Sequence, residues 1–345
     1  MTGELKARTR ALDPRRALKL LRETSGGSGW DIERLLSLDV IKERPGRRLT
    51  VRYDVAARRR GGPPDEYALY GKLYRGHRGA RVHRLLIELS HRAPSGLRFP
   101  EPLGYEPRRR FLLIAGLAGR ELSGLLGSPE AELHVRTFGD ALASFHLLPV
   151  ETIAAALPVD GGLPVHDPAA EIDVLSRARE RIREQAPRPA VAEWFDGLSK
   201  QVSSGLGKPP EGVAGRAFRL LHRDLHPGQV LVDQRGMGLI DLDDAARGEP
   251  ELDLGNVLAH FSLDDLQRHG RIGGARRLGQ AFLEGYARRG SFHRDRLAFY
   301  LAGSCLRLAS LERLAGGGIS VLGYADLAQA LMREAERALV AGGDG

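Results

Sequence analysis

The spacing of hydrophobic residues changes near residue 119, and this change predicts two structural regions. Between residues 30 and 115, apolar and polar residues alternate with period two, most clearly over Leu49–Val55. Such alternation is typical of half-buried strands, and Pro45-Gly46 marks a turn between two of them. Residues 81–91 have instead the apolar spacing of a helix. We expect a small, largely antiparallel β layer with one helix here.

The rest of the chain has helical periodicity. The segment before residue 148 carries a stripe with a period of about 3.6 residues, formed by Val135, Phe138, Leu142 and Phe145. The apolar spacing predicts two helices within residues 170–204 and further helices within residues 253–340. Residues 218–243 interrupt this pattern with short strands around a polar loop. The chain therefore predicts an α+β protein with a small antiparallel β lobe and a larger α-rich lobe.

These patterns also predict the domain boundaries. Residues 1–29 are expected to form a helical extension that ends in a Ser-Gly-rich stretch. The small lobe is expected at 30–119 and the large lobe at 120–340. Residues 341–345 are expected to be a short tail.

Composition and charge restrict the class of protein. The net charge of +8 over 345 residues raises the possibility of nucleic-acid binding. However, the basic excess lies in residues 1–120, whereas residues 121–345 carry more acidic than basic residues, and the Arg runs lack interleaved aromatics. We therefore expect no nucleic-acid partner. A single cysteine, Cys305, excludes an internal disulfide and a Cys-rich zinc site.

The sequence also bears on location. The start of the chain is polar and basic, without the apolar stretch of a secretory signal. The longest apolar run, Phe111–Gly119, is too short to span a bilayer. We therefore expect a cytoplasmic protein with no membrane contact, and the oligomeric state stays open.

One segment combines several chemically useful side chains. An apolar strand ends at His222 and Asp224, and a hairpin then returns the chain to Asp241. We expect this hairpin to bring Asp241 beside Gln229 and Asp224. Two carboxylates and an amide oxygen form the kind of oxygen site that Mg²⁺ accepts. An aspartate at the head of the loop can accept a proton from a hydroxyl.

This segment resembles the catalytic and metal-binding loops of the aminoglycoside phosphotransferase and choline kinase family, which is related to protein kinases. The family pattern is His-x-Asp, four residues, Asn, and then Ile-Asp on the next strand. It corresponds here to His222, Asp224, Gln229 and Ile240-Asp241. The segment Gly248–Leu254 resembles the element that follows in the family. The resemblance covers about residues 30–340.

The resemblance implies a protein-kinase-like fold that uses ATP and Mg²⁺. It makes Asp224 the catalytic base, or the group that orients the acceptor hydroxyl, and it makes Gln229 and Asp241 the magnesium ligands. His222 and Asp253 would support the catalytic loop, either by hydrogen bonds that orient it or as purely structural residues.

Gln229 departs from the family pattern, in which Asn is usual at the metal position. Glutamine keeps the amide oxygen but adds one methylene, which would displace the metal unless the loop compensates. A similar glutamine occurs in bacterial maltokinases, which this family includes, so the change does not by itself mean loss of activity. Asp243 and Asp244 could assist the metal or lie on a solvated surface.

The small lobe should contain the nucleotide-binding residues that the family requires. Lys72 lies on the third predicted strand and corresponds to the lysine that contacts the α- and β-phosphates; the alternative is an edge-strand lysine. Glu88 is the acid on the following helix that could pair with it, or it belongs to a solvated face. Arg47 and Arg48 lie in the predicted phosphate loop and could contact phosphate.

Together these features predict an ATP- and Mg²⁺-dependent O-phosphotransferase that acts on a hydroxyl of a small molecule, such as an amino sugar, a sugar or an aminocyclitol. Both an antibiotic-modifying enzyme and a kinase of primary metabolism fit this prediction. The alternative from another class is a catalytically inactive, kinase-like nucleotide-binding regulatory protein.

Overall fold

The computed structural model describes residues 3–44, 48–157, 162–185, 189–208, 217–311 and 324–343. The chain divides into two compact units. The first consists of Met1–Gly119, Glu151–Leu163 and Gly238–Asp243, and the second of Arg120–Val150, Pro164–Met237 and Asp244–Gly345. Asp241 and Asp243 therefore belong to the unit that contains Lys72, whereas Asp224 and Gln229 belong to the second unit.

The N-terminal elements form one antiparallel sheet with flanking helices. They are α1 (Gly3–Leu12), α2 (Pro14–Ser25), β1 (Trp30–Arg44), β2 (Arg48–Arg59), β3 (Pro64–Tyr74), α3 (Arg78–Arg92), β4 (Leu97–Arg98), β5 (Pro102–Glu106) and β6 (Phe111–Ala115). Five of the strands pair in the order β1-β2-β3-β6-β5, and each pair is antiparallel. The predicted β layer with one following helix is confirmed.

Strand β2 shows why this sheet forms. Its odd-numbered residues from Leu49 to Ala57 are buried in the core that the sheet shares with α2. The Tyr53 hydroxyl donates a hydrogen bond to the Ala11 carbonyl at 2.9 Å. Because alternate strand residues point to opposite faces, the even-numbered residues of β2 face away from this core.

Two local details concern the ends of elements in this unit. The N-terminal segment contains two helices, because Pro14 starts a new helix and the Asp13 carboxylate accepts a hydrogen bond from the Arg16 amide at 2.9 Å. The connection between β2 and β3 is short, because β2 continues to Arg59 and β3 begins at Pro64.

The remaining elements are mostly helical. They are β7 (Arg120–Glu121), α4 (Ala131–His146), α5 (Val150–Ala155), β8 (Val165–His166), α6 (Pro168–Gln185), α7 (Pro189–Gly207), β9 (Arg219–Leu221), β10 (Val230–Asp233), β11 (Gly236–Leu239), β12 (Ala246–Gly248), α8 (Glu251–His269), α9 (Gly274–Tyr286), α10 (Arg294–Ala309) and α11 (Tyr324–Gly343). Short 3-10 turns occur at Leu122–Leu125, Pro227–Gln229 and Leu242–Asp244. The predicted helical character of this region is confirmed.

The second unit is built around a helical core. Residues of α6, α7, α8, α10 and α11 form one cluster of buried apolar side chains. A small sheet accompanies it, in which β12 runs parallel to β8 and antiparallel to β9. Strand β9 leads directly into the segment of His222 and Asp224, so this pairing holds the start of that segment. None of the helices that the structure describes is long and apolar enough to cross a membrane.

Candidate active site

The first unit places Lys72 among carboxylates. Lys72 lies on β3, and only 6% of the residue is exposed. Its ammonium donates hydrogen bonds to Asp241 Oδ1 at 2.7 Å and to Asp243 Oδ1 at 2.9 Å. The Tyr74 hydroxyl, two residues further along the strand, donates to Asp243 Oδ1 at 2.9 Å. Lys72 is therefore a buried cation with two acidic partners.

Arg48 is a second cation on the same two carboxylates. Its guanidinium donates to both oxygens of Asp241, at 3.1 and 3.4 Å, and also to Asp243 Oδ2. The Asp243 residue is 1% exposed, so the sequence alternative of a solvated surface does not describe it. Two cations and two carboxylates thus form a compact, formally neutral group, which we call the lysine cluster (Arg48, Lys72, Asp241 and Asp243).

The Lys72 ammonium loses its proton more easily in this environment than a lysine in water does. Burial lowers the pKa of the Lys72 ammonium from its ordinary value, and the neighbouring charge of Arg48 acts in the same direction. The Asp241 carboxylate opposes this shift, because an adjacent negative charge favours the protonated amine. The neighbouring carboxylates therefore stabilise the charged form of this buried lysine.

The lysine cluster differs from the sequence expectation for Glu88. Among the contacts of the described residues, the Glu88 carboxylate pairs with Arg92, one turn further along α3. The i,i+4 spacing places Arg92 next to Glu88 on the helix surface. The acidic partners of Lys72 are Asp241 and Asp243 instead. Arg47 lies outside the described residues.

The second unit holds the loop of Asp224 by its backbone. The amides of His222 and Arg223 each donate to the carboxylate of Asp253, both at 2.7 Å. Asp253 and His222 are completely buried. Because Asp253 stands in the first turn of α8, the N-terminal end of that helix also favours its negative charge.

The Asp253 carboxylate has a third partner. His146, at the end of α4, contacts Asp253 Oδ2 through Nε2 at 3.2 Å and the Tyr286 hydroxyl through Nδ1 at 2.9 Å. Since an ionised carboxylate only accepts, Nε2 donates to it. Burial by itself would raise the pKa of Asp253, but the hydrogen bond from His146 and the nearby His222 lower it below its ordinary value.

A further set of hydrogen bonds fixes the residue before Asp224. Arg223 has a positive φ of 73°, which is unusual for a residue with a side chain. Its carbonyl accepts from Asn256 Nδ2 at 2.8 Å. Asn256 Oδ1 in turn accepts from Ser304 at 2.7 Å and from Arg307 at 2.9 Å. These contacts hold the strained backbone in place.

Asp224 itself is open to solvent. Its side chain is 48% exposed, and the described ion pair joins its Oδ1 to Arg307 Nη1 at 3.9 Å. The loop therefore combines a fixed backbone with an accessible carboxylate. That combination suits a group that must meet a substrate hydroxyl, because orientation is set before the substrate arrives.

A sequence comparison identifies the family. Residues 53–300 match the family described as "Phosphotransferase enzyme family", and the match spans more than half of the chain. The chain belongs to this family. No curated protein sequence matches the chain.

Solved phosphotransferases share the fold. A macrolide 2'-phosphotransferase from Brachybacterium faecium, solved as the apoenzyme, has a TM-score of 0.53 at 19% identity, over 91% of this chain and 97% of that chain. A choline/ethanolamine kinase family protein from Mesorhizobium loti has a TM-score of 0.56 at 16% identity, over 100% of both chains. A thermostable mutant of an aminoglycoside phosphotransferase, in complex with ADP and hygromycin B, has a TM-score of 0.56 at 17% identity, over 95% of this chain and 98% of that chain. The predicted protein-kinase-like fold is confirmed.

In this phosphotransferase, Gln229 has the properties of a metal ligand. It ends the turn Pro227–Gln229 and is 6% exposed. Its Oε1 atom is buried and has no hydrogen-bond partner within the described part of the chain. A buried amide oxygen without a partner is unfavourable, and a hard cation such as Mg²⁺ would satisfy it. The residue type and its environment therefore fit the implied metal.

Several residues of these networks were missed from the sequence. They are Tyr74, His146, Asn256, Ser304 and Arg307. Asn256 had a usable signal, because it follows Asp253 by three residues on α8 and so shares its helix face. His146 and Arg307 come from distant helices, and no local pattern connects them to the loop.

Proposed function

We propose that this phosphotransferase transfers the terminal phosphoryl group of ATP, with Mg²⁺, to a hydroxyl of a small molecule. The observation that carries the proposal is the half-exposed carboxylate of Asp224 on a loop whose backbone is fixed by buried Asp253. Phosphoryl transfer depends mainly on positioning the reacting groups and on neutralising charge. A carboxylate held in a fixed orientation suits the positioning of the acceptor hydroxyl.

Asp224 is assigned to the acceptor side of the reaction. It orients the attacking hydroxyl and accepts its proton as the oxygen attacks phosphorus. His222 and Asp253 support this group through the backbone of the loop and do not touch the substrate. On this assignment the large lobe, residues 120–340, binds the acceptor.

Lys72 is assigned to the donor side. Its ammonium contacts the phosphates of the nucleotide and stabilises their negative charge. Arg47, which directly precedes β2 in the sequence, is assigned a contact with the same phosphates. The small lobe, residues 30–119, then binds the nucleotide. This assignment is supported by the burial of Lys72 beside exchangeable carboxylate partners.

Gln229 and Asp241 are the residues proposed to hold magnesium. The unpartnered Oε1 of Gln229 supports the first, and the side chain of Asp241, which is 25% exposed, supports the second. When bound, the cation neutralises the phosphate charge that would otherwise repel the attacking oxygen. The protein's own contribution is to supply these two oxygen ligands.

The acceptor proposed is an amino sugar, a sugar or an aminocyclitol. Structural neighbours were solved with hygromycin B or kanamycin, and their nucleotides include ADP, an ATP analogue and GDP. These neighbours support a hydroxylated small molecule as the class of acceptor. Because one of these neighbours was solved with GDP, GTP is the second phosphoryl donor to compare with ATP.

The test is acceptor-dependent release of nucleoside diphosphate. Purified protein is assayed with ATP or GTP, Mg²⁺ and a panel of neutral sugars, amino sugars and aminocyclitols. We expect release with ATP that requires an acceptor and disappears in Asp224→Ala. Nucleotide binding without turnover on any acceptor would favour the inactive regulatory protein. Turnover that survives in Asp224→Ala would overturn the assignment of the base.

A further inference from the structure

Arg48 occupies the carboxylate of Asp241, which the proposed function assigns to metal binding, together with that of Asp243. Its guanidinium contacts both oxygens of Asp241 and one oxygen of Asp243, and its side chain is 14% exposed. The family resemblance gives this residue no such role. A role for Arg48 in metal binding rests on the proposed function.

The position of Arg48 follows from the register of the sheet. Arg48 pairs with Tyr74 across β2 and β3, and Thr50 pairs with Lys72. Directly opposed residues in an antiparallel pair project to the same face, as do residues two apart on one strand. Arg48, Lys72 and Tyr74 therefore all point to the face opposite the apolar core, and all three contact Asp243.

The two cations share one oxygen. Asp241 Oδ1 accepts from Lys72 at 2.7 Å and from Arg48 at 3.1 Å, and Asp241 Oδ2 accepts from Arg48 at 3.4 Å. A carboxylate oxygen has two lone pairs, so both acceptor sites of Oδ1 are in use. A divalent cation coordinates a carboxylate oxygen at close range, about 2.0–2.1 Å for Mg²⁺, and Arg48 contacts both oxygens of Asp241. A metal on Asp241 therefore competes with the guanidinium.

Of the two cations, Arg48 is the one that can leave. Its bonds to Asp241 are longer than that of Lys72, and Lys72 is the more deeply buried side chain. A guanidinium that leaves one bidentate acceptor needs another, and phosphate oxygens match its planar fork of donors. Arg48 belongs to the segment that the resemblance assigns to the phosphate loop.

We propose that Arg48 is an exchangeable counter-ion of the proposed metal ligand Asp241 and of its neighbour Asp243. It binds Asp241 and Asp243 until the nucleotide and its metal arrive, and it then moves to the phosphates. Arg48 thus couples the two events: it opposes binding of the metal alone and favours binding of the nucleotide. The negative charge of the two carboxylates stays compensated in both arrangements, because the metal arrives as Arg48 leaves.

The experiment measures metal and nucleotide binding separately, without turnover. Mn²⁺ serves as the probe, because electron paramagnetic resonance reports its free concentration directly. Titrations are done on wild type, Arg48→Met and Arg52→Met. Arg52 is the matched control, because it lies on the same face of β2 but pairs with Asp54 at 2.9 Å. Thermal unfolding checks that each variant is folded.

We expect Arg48→Met to bind Mn²⁺ alone about tenfold more tightly than wild type, the size of a typical coupling between sites. The same variant should bind ADP in the presence of a chelator about tenfold more weakly. Arg52→Met should match wild type in both titrations. Arg48→Lys, which keeps the charge, should stay close to wild type for Mn²⁺. Arg48→Gln also removes the charge and serves as the second variant, with the same expected changes, if Arg48→Met does not fold.

The outcomes separate this inference from the proposed function. If wild type binds Mn²⁺ and ADP but folded Arg48→Met binds Mn²⁺ no more tightly, the counter-ion role is overturned and the proposed function stands. If wild type binds neither Mn²⁺ nor ADP, the proposed function fails and the inference fails with it.

Discussion

The carboxylates of Asp253 and of the lysine cluster are neutralised in different ways. Asp253 accepts hydrogen bonds from two backbone N–H groups and a histidine, and it has no exposed surface. Asp241 and Asp243 accept instead from long side chains, Lys72 and Arg48. Backbone donors cannot leave without unfolding the segment, whereas long side chains can change partners. The comparison supports a structural role for Asp253 and the proposed exchange of cations in the lysine cluster.

The largest effect on stability is expected for Asp253→Ala. The change leaves two buried amides and His146 without their acceptor. We expect the free energy of unfolding to fall by about 3–5 kcal/mol, as when one partner of a buried charged pair is removed. Urea denaturation measures this. Asp264→Ala on the same helix is the control, because Asp264 forms an exposed pair with Arg268 and should change stability by less than about 1 kcal/mol.

Asn256→Ala should have the next largest effect. It removes the donor to the Arg223 carbonyl and leaves the Ser304 and Arg307 donors unpaired, which should lower stability by about 1–3 kcal/mol. Asn256→Asp keeps an acceptor for Ser304 and Arg307 but loses the donor to the loop. If turnover falls in both variants, the bond to the loop positions Asp224; normal turnover in Asn256→Asp would contradict that.

The free energy of unfolding should depend on pH in the acid range because Asp253 takes up a proton there. The pKa of Asp253 is lower in the folded protein than in the unfolded chain, so its contribution to stability is complete above the unfolded value of about 3.9. The contribution is lost as pH falls from there through the folded pKa. Wild type should therefore lose more unfolding free energy between about pH 5 and pH 3 than Asp253→Asn does. Parallel curves for the two proteins would contradict this.

The smallest effect is expected for Glu88→Gln. Glu88 pairs with Arg92 on the same helix, and such pairs contribute about 0.3–0.5 kcal/mol. Nucleotide affinity and turnover should stay near those of wild type, because the acids beside Lys72 are Asp241 and Asp243. A loss of nucleotide affinity comparable to that of Lys72→Met would instead indicate that Glu88 is an acidic partner of Lys72.

The sequence predicted the parts of this molecule that local patterns determine. Alternation in β2 and helical stripes such as that of α4 predicted the fold, and the spacing of His222, Asp224 and Asp241 indicated the family. The expectation for Glu88 failed to find the partners of Lys72, because a helix position does not say which cation its carboxylate meets. The contacts of Arg48 depend on where residues 238–243 pack, which no local pattern encodes. His146 reaches Asp253 from 107 residues away in the chain.

The central claim is that Asp224 acts on the acceptor and Lys72 on the nucleotide. It is tested most directly by measuring, for Asp224→Asn and Lys72→Met, both the affinity for Mg²⁺-ATP and the single-turnover rate of transfer to an acceptor found in the panel. We predict that Asp224→Asn binds the nucleotide as wild type does but transfers at least about a hundredfold more slowly, as expected for loss of a general base. Lys72→Met should bind the nucleotide more weakly. Transfer at the wild-type rate by Asp224→Asn, or unchanged nucleotide affinity in Lys72→Met, would contradict the account.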